Sequence, residues 1–334
     1  MSKELIRIRE IKMRVSVLGC GRWGTFMAWY TNKIGHDVML WGRETSKSFA
    51  GLKETRKNEY LSLPDTIKLC SSLDKSISFA ELIIISISAQ ELRSFAKQLN
   101  SIKESQNKTF ILCMKGLEAS SGTRLSQVFS EELGRNVNVA VWVGPGHVQE
   151  YVNNIPNCMV IGSENVDITK KIVQEFNSDL IRFYYGQDLI GNEIGAATKN
   201  VIGIAAGMLD GLNYSSLKGS LMARGTREIS RLVRVMGGNE LTIYGLSHLG
   251  DYEATLFSIH SNNRKFGQSY VEGERFGKLA EGVSTIKALK EISRQYEVEL
   301  PICNALYEIL FENKDAKATL ENLFLRPVKF EFQN

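Results

Sequence analysis

A glycine-rich turn set between a strand pattern and a helix pattern is the strongest constraint on this chain. Arg14–Leu18 (RVSVL) reads as a buried strand and Thr25–Lys33 as a helix. Between them stands Gly19-Cys20-Gly21-Arg22-Trp23-Gly24. In that setting each glycine has its own task. Gly19 permits a tight turn, Gly21 lets backbone approach a pyrophosphate, and Gly24 lets the helix pack on the sheet. The helix N-terminus then presents unpaired N–H groups to an anion. Gly19, Gly21, Arg22 and Gly24 are therefore candidate dinucleotide contacts.

The sequence that follows keeps alternating strand and helix. Asp37–Trp41, Ile67–Cys70, Leu82–Ser88, Thr109–Met114 and Val139–Val143 are apolar, β-rich runs, with helical patterns over Glu91–Leu99 and Arg124–Leu133. A unit of strand Cys158–Gly162, helix Asp167–Asn177 and strand Ile181–Tyr184 closes the series. Continuous apolar strands separated by helices imply an α/β fold with a doubly wound, mostly parallel sheet covered on both faces. After about Gln187 the strand patterns stop and helical periods take over: Leu189–Leu212, Leu217–Val235, Glu281–Tyr296 and Ile302–Glu312. With 334 residues, the chain is past the size where one core keeps growing. The expectation is a Rossmann-type domain over 1–187, with 1–12 as an extension, and an all-α domain over 188–334.

Charge and cysteine usage exclude several classes. Lys+Arg 41 against Asp+Glu 37 leaves a net +4, with the basic residues scattered. That argues against a nucleic-acid groove or a membrane patch but leaves room for a local anion pocket. The five cysteines are widely spaced without a CxxC pair, so they read as thiols in a reducing compartment and not as metal ligands. The longest apolar runs, Leu82–Ile87 and Val201–Leu209, are too short to span a bilayer. The opening residues have no apolar stretch of the kind a secretory signal needs. A cytoplasmic protein is expected.

The cofactor's 2′ group is read from the end of the second strand, Leu40-Trp41-Gly42-Arg43-Glu44. No acid stands at the tip to receive a ribose diol, and Arg43 suits a 2′-phosphate. NADP is favoured, and Glu44 keeps NAD open.

Within the second half, glycines fall at 191, 195, 203, 207 and 211, and the missing term of this four-residue series is Lys199. Close helix crossing accounts for glycines, each of which costs about 0.8–1.0 kcal/mol relative to alanine in a helix. It does not account for a lysine among them. A buried ammonium needs an anionic partner, and a lysine of lowered pKa suits proton transfer. Lys115, just past the strand Thr109–Met114, and Asp251, after Gly250, are further candidates. Asp251 would orient Lys199 or accept a substrate hydroxyl. The four histidines show no ligand spacing, and Glu193 is expected to face solvent or to pair locally.

The order of these segments resembles the bacterial NAD(P)-dependent glycerol-3-phosphate dehydrogenases. The matching pieces are Gly19–Thr25, Lys115–Glu118, Gly144-Pro145 with Glu150, Lys199–Leu212, Arg224-Gly225, Gly245–Asp251, Asn263-Arg264 and Glu281–Thr285. The resemblance implies reversible reduction of dihydroxyacetone phosphate to sn-glycerol 3-phosphate by NAD(P)H, feeding phospholipid synthesis. It also implies a helical substrate domain that makes a homodimer. By position, Lys199 matches the catalytic lysine, and Lys115 the lysine near nicotinamide and substrate. Asp251 and Thr255 match the active-site acid and threonine. Trp23, Arg43 and Glu281 match cofactor contacts, and Gly144, Ser261 and Asn263 match substrate contacts.

Two positions depart from the family pattern. Asn262 stands where an arginine usually grips substrate phosphate, and Gly146 where a serine usually contacts the ligand. An amide does not reproduce a bidentate guanidinium–phosphate contact. Arg264, two residues on, is a candidate stand-in. The alternatives to the family reaction are another hydroxy or keto substrate, or nucleotide binding without this catalysis.

Overall fold

The computed structural model describes residues 12–134, 137–328 and 330–331, so most of the 1–12 extension lies outside the described residues. The chain divides into two compact units. The first comprises 1–114 and 125–189, and the second 115–124 and 190–334. A single boundary near residue 187 misses the excursion Lys115–Arg124, which packs with the second unit.

The first unit is an eight-stranded sheet of β1 (Arg14–Leu18), β2 (Asp37–Trp41), β3 (Lys68–Cys70), β4 (Leu82–Ile85), β5 (Thr109–Leu112), β6 (Asn138–Val143), β7 (Asn157–Ser163) and β8 (Ile181–Gly186). The spatial order is β3-β2-β1-β4-β5-β6-β7-β8, and every pair is parallel except β6 with β7. The helices α1 (Arg22–Lys33), α2 (Lys47–Thr55), α3 (Leu73–Phe79), α4 (Leu92–Asn100), α5 (Leu125–Leu133), α6 (Val148–Val152) and α7 (Val166–Phe176) connect the strands. All four residues of β4 are buried, as a strand covered on both faces requires. Each such side chain contributes about 1.5–3 kcal/mol on burial. Tyr30 fixes α1 against α7 by donating to the Phe176 carbonyl at 2.5 Å. Strand order reverses direction between β1 and β4, and in open α/β sheets ligands bind beyond the strand ends at that point.

The second unit is built from α8 (Leu189–Gly211), α9 (Lys218–Val235), α10 (Asn262–Glu272), α11 (Glu281–Gln295), α12 (Pro301–Phe311) and α13 (Ala316–Asn322). Its core gathers Ile194, Val201, Ile204, Leu232, Leu256, Leu289 and Leu306, all nearly inaccessible. The glycine series in α8 has a packing explanation. A Cβ at Gly207 would fall 1.9 Å from the Arg264 carbonyl oxygen, and one at Gly267 would fall 2.0 Å from the Ile204 oxygen. α8 and α10 thus cross at backbone contact, closer than any pair of side-chain-bearing residues allows. Among the described residues, no helix is long and apolar enough to cross a membrane.

Candidate active site

The nucleotide loop lies in the first unit, at the carboxyl ends of β1 and β4. Gly19 has φ +119°, and a Cβ there would sit 2.1 Å from the Ser86 oxygen, so the loop presses on the chain leaving β4. A Cβ on Gly24 would meet the Gly19 oxygen at 2.0 Å, whereas Gly21 faces open space. The three glycines therefore divide into turn, helix contact and open approach. Gly21 is the N-cap of α1 and supplies no side-chain cap, which leaves the first-turn N–H groups for an anion. These features fit a dinucleotide pyrophosphate. Arg22 donates to Gln149 Oε1 at 2.7 Å and lies over the Tyr60 ring, while Trp23 packs on Phe26 and Tyr151. At the tip of β2, Glu44 is turned to Lys53. Arg43 stays largely exposed, 3.6 Å from Glu91.

The second unit assembles a charged cluster. Lys199 extends from the middle of α8 to within 2.9 Å of Asp251 Oδ2, and Lys115 reaches the same oxygen at 2.7 Å. Lys199 Nζ also donates to Thr255 Oγ1 at 2.7 Å, and that hydroxyl donates to the Asp251 carbonyl at 2.7 Å. Asp251 is 1% exposed, and its Oδ1 has no hydrogen-bond partner among the described residues. Buried acceptors are almost always satisfied, so this oxygen is able to receive a donor. Asn200, next to Lys199, holds the Lys115 carbonyl at 3.4 Å.

Electrostatics tune the lysine. Burial lowers the Lys199 pKa to about 8, Asp251 counteracts this, and the Lys115 ammonium adds to the lowering. Glu281 opens α11, where a Cβ at Gly282 would lie 2.7 Å from the Asn200 oxygen, so this helix start abuts α8. Burial raises the Glu281 carboxyl to about 7, against the pull of Lys115 and Lys199. His248 is fully buried, its Nδ1 2.9 Å from the Gly195 carbonyl and its Nε2 2.6 Å from the Tyr252 hydroxyl. A carbonyl only accepts, so Nδ1 carries the proton, and burial holds the pKa down to about 4. His248 is a neutral strut under the Asp251 turn.

The sequence matches the family model described as NAD-dependent glycerol-3-phosphate dehydrogenase N-terminus over residues 14–169, and its C-terminus counterpart over 188–321. The chain belongs to this family. It is 38% identical to glycerol-3-phosphate dehydrogenase [NAD(P)+] of Clostridium botulinum (strain Alaska E43 / Type E3), covering 95% of this chain and 99% of that protein. A Fusobacterium nucleatum protein of the same name is 34% identical over 96% and 99%. Among solved structures, glycerol-3-phosphate dehydrogenase from Coxiella burnetii aligns with TM-score 0.87 at 28% identity, covering 94% of this chain and 99% of that one.

Arg264 Nε donates to Asp210 Oδ2 at 2.6 Å, and Lys218 shares that oxygen at 2.6 Å. Two sequence expectations change. Glu193 neither faces solvent nor pairs locally. It meets Arg124, 69 residues away, at 2.6 Å in a buried pair. Gly146 is a backbone requirement more than a lost contact. It has φ +126°, and a Cβ there would lie 2.4 Å from the Tyr151 hydroxyl, so a serine does not fit this loop as built.

The remaining substrate candidates have defined places. Ser261 caps α10 by accepting from Arg264 N at 3.3 Å, and Asn263 Oδ1 accepts from Gly282 N at 2.9 Å. Asn262 donates to the Leu279 carbonyl at 3.3 Å. Gly144 follows β6 in the first unit, at φ +133°. Among the described residues, no group of three or more His, Cys, Asp or Glu is arranged to hold a metal ion. Sequence reasoning missed Asn200 and Arg124. Asn200 lies within the matching segment Lys199–Leu212, whereas no motif marks Arg124.

Proposed function

We infer that this chain reduces dihydroxyacetone phosphate reversibly to sn-glycerol 3-phosphate with NAD(P)H. The observation that carries the reading is the Lys199 ammonium. It has three N–H donors, spends two on Asp251 and Thr255, and has a third for a substrate oxygen. When bound, the nicotinamide supplies the hydride. As the ketone carbon accepts that hydride, the carbonyl π pair moves onto oxygen, and Lys199 transfers its proton there and becomes a neutral amine. Lys115 adds positive field at the oxygen, and Asp251 fixes both lysines. Asp251 Oδ1 accepts from a hydroxyl of the substrate. A lysine pKa of about 8 keeps both directions within reach near neutrality.

Gly19, Gly21, Arg22, Trp23, Gly24 and Arg43 hold the cofactor, with Glu281 touching it. Arg43 favours NADP, since Glu44 is engaged with Lys53. Gly144, Thr255, Ser261, Asn262 and Asn263 border the substrate, and Asn262 leaves its phosphate more weakly held. The product supplies glycerophospholipid synthesis in the cytoplasm, and the protein works as a homodimer. The exposed apolar residues Phe324, Leu325 and Phe330 support association. The test is NADPH oxidation by purified protein. Turnover that depends on dihydroxyacetone phosphate is expected, and none at saturating substrate defeats the reading.

A further inference from the structure

We propose that the buried Arg124–Glu193 pair is a positioning clamp that holds Lys115 against Asp251, beside the proton donor Lys199. The inference rests on the function proposed above. The chain passes from the first unit to the second at Lys115 and returns after Arg124. These ten residues form a small hairpin, with Leu117 bridged to Arg124 and Glu118 N donating to the Thr123 carbonyl at 3.0 Å. Arg124 stands opposite Leu117, two residues after Lys115.

The hairpin needs holding. Two ammonium groups converge on one oxygen, Asp251 Oδ2, at 2.7 and 2.9 Å, and they repel each other. Lys199 is fixed by the long helix α8, so the shorter hairpin is the part that yields. The Asn200 bond to the Lys115 carbonyl is long at 3.4 Å. Leu117 is buried in the core of the second unit, and Gly122, at φ +74°, lies against Ile292 of α11. These contacts seat the hairpin on the second unit. The charge-assisted contact from Arg124 Nη1 to Glu193 Oε2, at 2.6 Å with both side chains under a tenth exposed, ties its returning arm to α8. Glu193 lies on α8, six residues before Lys199, so the clamp ties the Lys115 base to the helix that carries the proton donor.

The clamp therefore acts through Lys115, whose charge helps lower the Lys199 pKa. Loosening it lets Lys115 withdraw and Lys199 become less acidic. The experiment compares wild type with Arg124→Met, Glu193→Gln, Lys115→Met and the doubles carrying Lys115→Met. Ketone reduction is followed across pH, and thermal melts report folding. The clamp variants are expected to lose between roughly tenfold and roughly a hundredfold in kcat. The cofactor KM stays near wild type, because neither Arg124 nor Glu193 is among the residues that hold the cofactor. The alkaline limb of kcat moves upward by about one pH unit. In the Lys115→Met background the clamp mutations add little further loss and no further shift, and the reversal Arg124→Glu with Glu193→Arg restores part of both. Should Arg124→Met not fold, Glu193→Gln, which keeps size and shape, carries the test. An unmoved alkaline limb, with losses that simply add to those of Lys115→Met, overturns the proposal. Absence of turnover in wild type overturns instead the function on which it rests.

Discussion

Replacing Asp251 by asparagine separates its electrostatic role from its size. The carboxylate stands 2.9 Å from Lys199 Nζ. At that separation and an effective dielectric of about 20, two unit charges attract by about 6 kcal/mol. Divided by 1.36 kcal/mol per pH unit, this sets a ceiling of about four units on the support Asp251 gives the ammonium. Reorientation of the amide and entry of water reduce this, and a fall of about two units, from near 8 to near 6, is the expected outcome. The sign follows from the charge. A carboxylate favours protonated lysine, so removing it lowers the pKa and empties the proton donor at neutral pH. Ketone reduction at pH 7 then falls by about tenfold from protonation alone. The assay is kcat for NADPH oxidation from pH 5 to 10, with the reverse reaction in parallel. The alkaline limb of reduction moves down, opposite to its movement when Lys115 is withdrawn. A limb still centred near 8 in the Asp251→Asn protein refutes this account of how the lysine is tuned.

Three other perturbations test separate parts of the structure. Gly207→Ala places a methyl 1.9 Å from the Arg264 backbone oxygen, so α8 and α10 must part, with an expected loss of about 3 kcal/mol in a denaturant melt. Arg43→Ala removes an exposed cation at the tip of β2 and raises KM for NADPH by about tenfold while leaving that for NADH within about twofold, as steady-state titration of each cofactor reads. Asn262→Arg supplies a guanidinium where the structure has an amide bonded to Leu279, and lowers KM for dihydroxyacetone phosphate by about tenfold with kcat little changed.

Periodicity made the sheet legible. The runs Arg14–Leu18, Asp37–Trp41 and Thr109–Met114 are predominantly apolar because parallel strands bury both faces, and that pattern survives in one dimension. The glycine spacing around Lys199 was legible for a similar reason. Small residues one helical turn apart mark a close crossing, and the lysine that breaks the series marks the site. What escaped were pairings between distant residues. Arg124 with Glu193 spans 69 residues, and Arg264 with Asp210 spans 54. Nothing local distinguishes a glutamate facing water from one reaching a remote arginine, so the buried partner of Glu193 is not legible in one dimension. The allegiance of Lys115–Arg124 to the second unit was hidden likewise, since only tertiary contacts decide it. Gly146 shows the reverse case. Its departure from the family reads as a lost hydroxyl, yet the backbone at φ +126° beside Tyr151 calls for a glycine in this loop.

The central claim is that Lys199 donates the proton that completes ketone reduction, and Lys199→Met, which keeps the stem and deletes the charge, tests it most directly. With cofactor binding verified by fluorescence titration and folding by a thermal melt, the account predicts that ketone-dependent NADPH oxidation falls by roughly a hundredfold or more. A Lys199→Met protein that turns over within a few-fold of wild type contradicts it.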